Sequence, residues 1–433
     1  MDPAPTSSVP SRPGGLPAQP GYPAFLLAAT LARLSSEMFP VAVVLLVLDR
    51  TGRPGLAGAV VAATTLPAVV TGPVLGAWLD RTGRRRVALA ANQVMLAASL
   101  VGILAAAGRA PGWVLLALAA AAGLTGPLAT GGYTSMIPLL VPEPLLARAN
   151  ALEASSFNTA AIAGPAVAGA VAATAGPTAA VLAEAALAGL ALPAIARLPV
   201  LRGTTPAVPR TPPVLRGTTP GPGTVPAGDH PGSLAGTIRR GLRHLARTPV
   251  LRGVTVATAV GMGGTGLLTL ALPFWAERLG AGRAAAGYLW AALEAGAIAG
   301  ALAAARPAAA WPPQRVVLAG LGLFGLVVAA WPLAPSFPAA QAHVALAGLV
   351  EGPAFAATFA TRQRWSPPAL RGQIFTTAAS LKLGAFAVGS ALAGPALDHS
   401  GVGGILVAVG ALQLLAVTLG GIAGARGPAQ GPA

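Results

Sequence analysis

The chain has no cysteine, and among its 433 residues a single lysine, Lys382. Aromatic residues make up 5% and charged residues only 9%. Each scarcity excludes something. Without cysteine there is no structural disulfide, no thiolate nucleophile and no thiolate-held metal. Four histidines, widely spaced, give no local metal-ligand cluster, so no metal site and no cofactor is expected. A soluble domain carries roughly 25% charged residues. At 9%, a soluble fold of this length could not cover its surface with charge. Hydrophobic residues make up 54%, with 56 glycines, and the mean hydropathy is +0.70. These numbers exclude a disordered chain, a soluble enzyme and a secreted disulfide scaffold. They imply a polytopic membrane protein.

A helix that spans a bilayer needs about 20 apolar residues. Twelve such runs are present: 23–48, 56–79, 87–107, 112–138, 152–174, 178–197, then 250–274, 285–305, 315–334, 339–360, 375–397 and 403–424. The expected fold is therefore all-α, with twelve transmembrane helices in two pseudo-symmetric six-helix halves. The halves cover 23–197 and 250–424, with a cytoplasmic linker over 198–249. Residues 1–22, with six prolines and no basic n-region joined to an apolar core, read as a disordered tail, and 425–433 as a second tail.

The charges orient the chain. With the N-terminus inside, inner segments hold 21 of the 28 basic residues and outer loops hold 5. That asymmetry places both termini in the cytoplasm of a cell-membrane protein. It also accounts for the net charge of +16 without a nucleic-acid partner.

Residues 198–233 hold nine prolines, and the segment Val200–Pro206 recurs as Val214–Pro220, which reads as a proline-stiffened linker. In Leu234–Thr248, Leu234, Ile238, Leu242 and Leu245 fall at helical spacing beside Arg239, Arg240, Arg243 and Arg247. This is a basic amphipathic helix suited to an inner membrane surface, with lipid as its partner. The two halves resemble each other at an offset near 224: Gly76-Ala77 corresponds to Gly300-Ala301, and Arg148 to Arg371. Such a parallel repeat can rock about a central site.

Between spans 2 and 3 stands Gly76-Ala-Trp-Leu-Asp80-Arg81-Thr-Gly83-Arg84-Arg85-Arg86. A plain positive-inside loop would explain the arginines but not Asp80 and Gly83. The segment resembles the signature loop of the major facilitator superfamily. The resemblance implies a cytoplasmic gate of Gly76, Asp80, Arg81, Gly83, Arg84 and Arg85, in which Asp80 stands near the N-terminus of helix 11. The equivalent 8–9 loop has Ala304 where Asp80 would map. A second stretch runs Pro138-Leu-Leu-Val-Pro-Glu143, Arg148-Ala-Asn150, Asn158, Gly164-Pro165-Ala-Val-Ala-Gly169. Together with Gly241–Pro249 it is similar to the enterobactin-exporter and macrolide-efflux branch. The same element partly resembles the antiporter motif of drug exporters, which implies a helix 5 hinge at Asn158, Gly164, Pro165 and Gly169. Span 4 lacks the Arg and Gln that many drug–proton antiporters carry there.

Charged side chains at a helix centre cost about 2.5–3.5 kcal/mol on insertion scales, so those within spans need a reason. Arg33 and Glu37 are four apart and can pair; they are the candidate proton-coupling residues, with Glu37 the leading carboxylate. Glu294, Glu351 and Lys382 are candidate substrate-cavity groups, and Trp290, one turn from Glu294, could stack on a planar substrate. Glu153 and Glu184 lie near span ends, within reach of interfacial water. Trp113, Trp275, Trp311, Trp331 and Trp365 read as interfacial anchors.

The expectation is a secondary active transporter and not an enzyme: a proton antiporter that exports small amphipathic compounds by alternating access, as a monomer. Two alternatives stand beside it. One is a proton-coupled or facilitative importer of a small polar solute. The other is a non-transporting member of the same fold.

Overall fold

The computed structural model describes residues 15–82, 84–199, 234–304, 310–367 and 370–425. Most of the expected linker, residues 1–14 and 426–433 of the two tails, and Gly83 lie outside the described residues. Among the described residues all regular structure is helical. The first half contains α1 (Tyr22–Thr51), α2 (Pro54–Thr82), α3 (Arg85–Ala106), α4 (Gly112–Thr125), a short α5 (Ile137–Leu140), α6 (Leu146–Ala175) and α7 (Pro177–Ala196). An isolated α8 (Leu234–Arg247) precedes α9 (Pro249–Arg278), α10 (Ala286–Ala303), α11 (Pro313–Ala329), α12 (Phe337–Trp365) and α13 (Arg371–Ala425).

Gly401, at φ 63° and ψ −178°, bends α13 into two limbs, 371–400 and 402–425. With those limbs the long apolar helices make eleven crossings. The twelfth is broken. Gly126-Pro127 ends α4, since a proline removes a backbone donor and crowds the preceding turn. The chain continues through a π turn, Leu128–Gly132, into α5. Proline opens α7, α9 and α11 at a position whose N–H has no helical partner anyway. Residues 15–22, expected as tail, are ordered. Leu16 in a 3₁₀ turn is buried with Tyr22, Phe25 and Ile137.

Lipid-facing and core-facing sides separate along the helices. On α2, Leu66, Val70 and Val74 fall one turn apart and stay more than half exposed, an apolar stripe that only lipid would cover favourably. Trp113 and Trp311 are exposed, as anchors should be. Trp275 and Trp331, expected as anchors too, are instead buried and stacked on each other, with ring centroids 5.4 Å apart.

The halves meet along two helix pairs, α2 with the first limb of α13 and α6 with α10. A shift of six spans exchanges these pairs, as a parallel repeat requires. Both contacts are closest at the end of the bundle opposite the N-terminus, and glycine makes them possible. A Cβ on Gly58 would strike the Ser390 carbonyl, and one on Gly394 the backbone of Gly55. A Cβ on Gly287 would strike the Pro165 carbonyl, and one on Gly169 would stand 2.5 Å from the Ala284 carbonyl. Toward the other end α6 loses its cover. Ser155 and Asn158 are exposed, whereas Gly164, Pro165, Ala168 and Gly169 are buried. The bundle is sealed at the far end and open toward the termini. There α8 lies across the ends of α12 and α13. Leu245 packs with Leu251, Ile374 and Ala378, His244 Nε2 stands 3.1 Å from the Trp365 carbonyl, and Arg243 and Arg247 face out.

Candidate functional site

Two glycine ridges bring carboxylates together. On α10, Gly296 and Gly300 are four apart; on α12, Gly348 and Gly352 are four apart. Each lies against backbone of the other helix: Gly296 on Ala345, Gly300 on Leu349, Gly348 on Leu293 and Gly352 on Ala297. Such small-xxx-small ridges let membrane helices approach closely. The approach carries Glu294 and Glu351, each near the middle of its helix, toward one another. Glu294 lies within Coulombic range of Glu351 and, across the boundary between halves, of Glu37 on α1. Glu351 is in turn within range of Lys382 on the first limb of α13. Glu37 also touches the helix 5 element, because a Cβ on Gly164 would come within 2.6 Å of the Glu37 Cβ.

Arg33 is not the partner of Glu37. The four-residue spacing allows that pair, but the guanidinium is engaged by α6. Nη2 binds Glu153 Oε1, Nη1 donates to Ser156 Oγ at 2.8 Å, and the group lies over the Phe157 ring. Thr134, just before α5, donates to the same Glu153 oxygen at 2.7 Å. Arg33 is 2% exposed and Glu153 13%. Arg33 therefore ties three segments together, while Glu37 is left to face Glu294. Removing one member of a buried pair leaves an uncompensated charge and costs about 3–5 kcal/mol. Arg33→Ala is accordingly expected to lower the unfolding temperature in detergent sharply, with Glu153→Gln falling less because its amide still accepts a hydrogen bond. Equal stability of Arg33→Ala and wild type would refute this tying role.

Glu184 is also displaced from its expected setting. It is 0% exposed rather than wetted at a span end, and neither carboxyl oxygen has a partner among the described residues. Its backbone carbonyl accepts from Ser35 Oγ at 3.0 Å, which fixes α7 against α1.

A small, partly open cavity lies within the second half, between α9, α11, α12 and both limbs of α13. Glu351 and Lys382 line it; Trp290, Glu294 and Glu37 are not in its wall. Trp290 packs against the main apolar core instead. Lys382 Nζ stands 5.4 Å from the centroid of the Phe355 ring. The wall also holds groups that the sequence reading did not select: Thr258, Thr265, Thr358 and Gln413. Gln413 donates from Nε2 to the Gly261 carbonyl at 2.9 Å, and its Oε1 is buried without a partner among the described residues. A lone amide in the middle of an otherwise apolar span was a signal available in the sequence.

Of the expected gate, Gly76, Asp80 and Arg81 lie on the last turns of α2, with Arg84 and Arg85 at the start of α3. The side chains of Asp80 and Arg81, like Gly83, lie outside the described residues. The expected helix 5 hinge runs as unbroken helix through Pro165. Its two glycines serve as contact points, Gly164 on α1 and Gly169 on α10.

Twelve crossings in two halves, with acids meeting where the halves touch, match a known architecture at the level of sequence as well. The Major Facilitator Superfamily profile matches residues 25–344. The chain belongs to the Major Facilitator Superfamily. An uncharacterized MFS-type transporter of Sinorhizobium fredii, y4rN, is 31% identical over 413 residues, 92% of this chain and 93% of that protein. The multidrug efflux pump Tap of Mycobacterium tuberculosis is 29% identical over 399 residues, 88% of each chain. In fold, the superfamily member is similar to a bacterial homologue of the lysosomal transporter Spinster in its inward-facing, unoccupied conformation. The TM-score is 0.67 at 15% identity, covering 93% of this chain and 95% of that one. The protein is thus a multi-pass membrane transporter that acts on small molecules, of a family with a multidrug efflux pump among its members.

Proposed function

We propose that this superfamily member is a proton-coupled exporter of small amphipathic compounds, set in the cell membrane with both termini in the cytoplasm. The observation that carries the reading is the row of acids Glu37, Glu294 and Glu351, which crosses from one half to the other in the middle of the bilayer. An ionisable side chain there is costly unless it serves a function. The backbone and Cβ of Glu37 pack on Gly164, on the helix whose far portion seals the two halves. The similarity to a protein named as a multidrug efflux pump favours export and amphipathic cargo. The positive-inside distribution favours cytoplasmic termini. On that orientation, the open end of the bundle faces the cytoplasm, where an exporter loads.

A second reading, import of a small polar solute, draws on one observation. The cavity wall carries three threonines and a glutamine, more hydrogen-bonding groups than an apolar-cargo site requires. The direction of flux separates the two readings. In everted vesicles with an acidic interior, an exported compound is expected to enter the vesicle, discharge the pH gradient and accumulate inside. A polar solute that leaves the vesicle down the same gradient, with no amphipathic compound causing discharge, would establish the importer reading instead.

A further inference from the structure

Phenylalanine is scarce in this chain, with ten residues in 433, yet three of them stand in one row in the second half. Phe355 and Phe359 are one turn apart on α12, and their ring centroids lie 5.1 Å apart, edge to face. Phe375, near the start of the first limb of α13, continues the row, its ring centroid 5.9 Å from that of Phe359. Lys382 falls two turns after Phe375 on the same face of that limb, and its Nζ stands 5.4 Å from the centroid of Phe355. Phe355 and Lys382 both line the cavity. The row therefore begins in the cavity wall and runs toward the open end of the bundle, bridging α12 and α13.

These rings are not core. Phe355 is 55% exposed and Phe359 40%, and Phe375 is partly exposed. Lipid does not suit the same face, because the ammonium of Lys382 lies against its innermost ring and a charge turned to hydrocarbon is costly. The lysine thus marks the row as a wall of the partly open cavity rather than of the bilayer. Tilted and edge-to-face rings leave ring faces free to take a further ring.

We propose that Phe355, Phe359 and Phe375 form a platform that holds a planar aromatic ring system of the cargo. The polar end of the same compound then lies in the cavity, beside Glu351 and Lys382. This rests on the reading of the cavity as the cargo site and narrows the class of compound, from amphiphiles in general to those with a flat, fused-ring body. The platform is a specificity element: saturated bodies of equal size would bury the same area but lose the ring-to-ring contacts.

The test is equilibrium dialysis of the purified full-length protein in detergent, against empty micelles, with aminacrine and tacrine as probes. The two share an aminoacridine frame and a single positive charge, but in tacrine one of the three rings is saturated. Ring-to-ring contact favours aminacrine, which is expected to bind about 3- to 10-fold more tightly than tacrine. Phe359→Leu is expected to bring the ratio of the two affinities near one, while Phe359→Tyr keeps the preference for aminacrine and guards against a misfolded variant. Equal affinity for the two probes in wild type, tighter binding of tacrine, or no binding of either overturns the proposal. A ratio unchanged in Phe359→Leu overturns it as well and leaves the row as packing for closure against the first half. The measurement uses neither a proton gradient nor a direction of flux, so a failure of proton coupling or of export would leave its outcome untouched.

Discussion

Everted vesicles carrying Glu37→Gln are expected to hold no gradient of a compound that wild type concentrates, yet to exchange labelled for unlabelled compound across the membrane. The reasoning is energetic. One proton moving with the membrane potential supplies about 2.3 kcal/mol per 100 mV, about a 50-fold concentration ratio for a neutral cargo. Glutamine binds no proton in this range and carries none, so the ratio falls to one while the unloaded machinery still rocks. Gln is nearly isosteric with Glu, so the contact between Gly164 and residue 37 is kept. The neutral form also meets less repulsion from Glu294, which lies within range. Folding should therefore survive the change. Glu294→Gln provides the comparison. If Glu294 rather than Glu37 carries the proton, that variant alone loses concentrative transport. Loss of expression or of melting temperature in Glu37→Gln, with concentrative transport intact in the protein that folds, would make Glu37 a packing residue.

The span pattern was legible because it depends only on length and apolar content. Observed helices begin and end within a few residues of the expected spans wherever proline or glycine marks a boundary, as at Gly52 and Pro54 or at Gly176 and Pro177. The break in the fourth crossing was likewise written in Gly126-Pro127. What the sequence does not contain is the rotation of each helix about its axis. The i,i+4 rule identifies Arg33 and Glu37 as possible neighbours, but it knows nothing of α6, whose Glu153 and Ser156 claim the guanidinium. The same missing rotation buried Glu184 and stacked Trp275 on Trp331 where water and headgroups were expected. Arg362 lies just past the expected span 339–360, but α12 extends to Trp365 and keeps it buried. The paired glycines of α10 and α12, in contrast, were visible as two four-residue repeats, a signal of close helix approach though not of which helix is approached.

Gly287→Leu is expected to arrest transport by prying open the sealed end. Gly287 packs backbone to backbone on α6, where even a single added Cβ would strike the Pro165 carbonyl and lie 2.9 Å from the Gly169 Cα. Neither neighbour is a flexible side chain that could swing away. Overpacking of this kind costs typically about 1–3 kcal/mol, and here the cost falls only on the conformation in which the far end is closed. The alternate conformation, with the far end apart, escapes it. A difference of that size shifts a two-state equilibrium about 5- to 150-fold. The natural absence of cysteine supplies the reporter: one introduced cysteine is the only thiol in the chain. Asn158 is exposed two turns before Pro165, on the same stripe of α6 that contacts α10. When the far end opens and the near end closes, that stripe should be covered. A thiol in Asn158→Cys is therefore expected to react with maleimide several-fold more slowly when Gly287→Leu is added. Gly189→Leu, at a glycine with open space around it, should leave the rate unchanged. Unaltered labelling together with a lower unfolding temperature would make the Gly169–Gly287 contact static packing and detach the seal from transport.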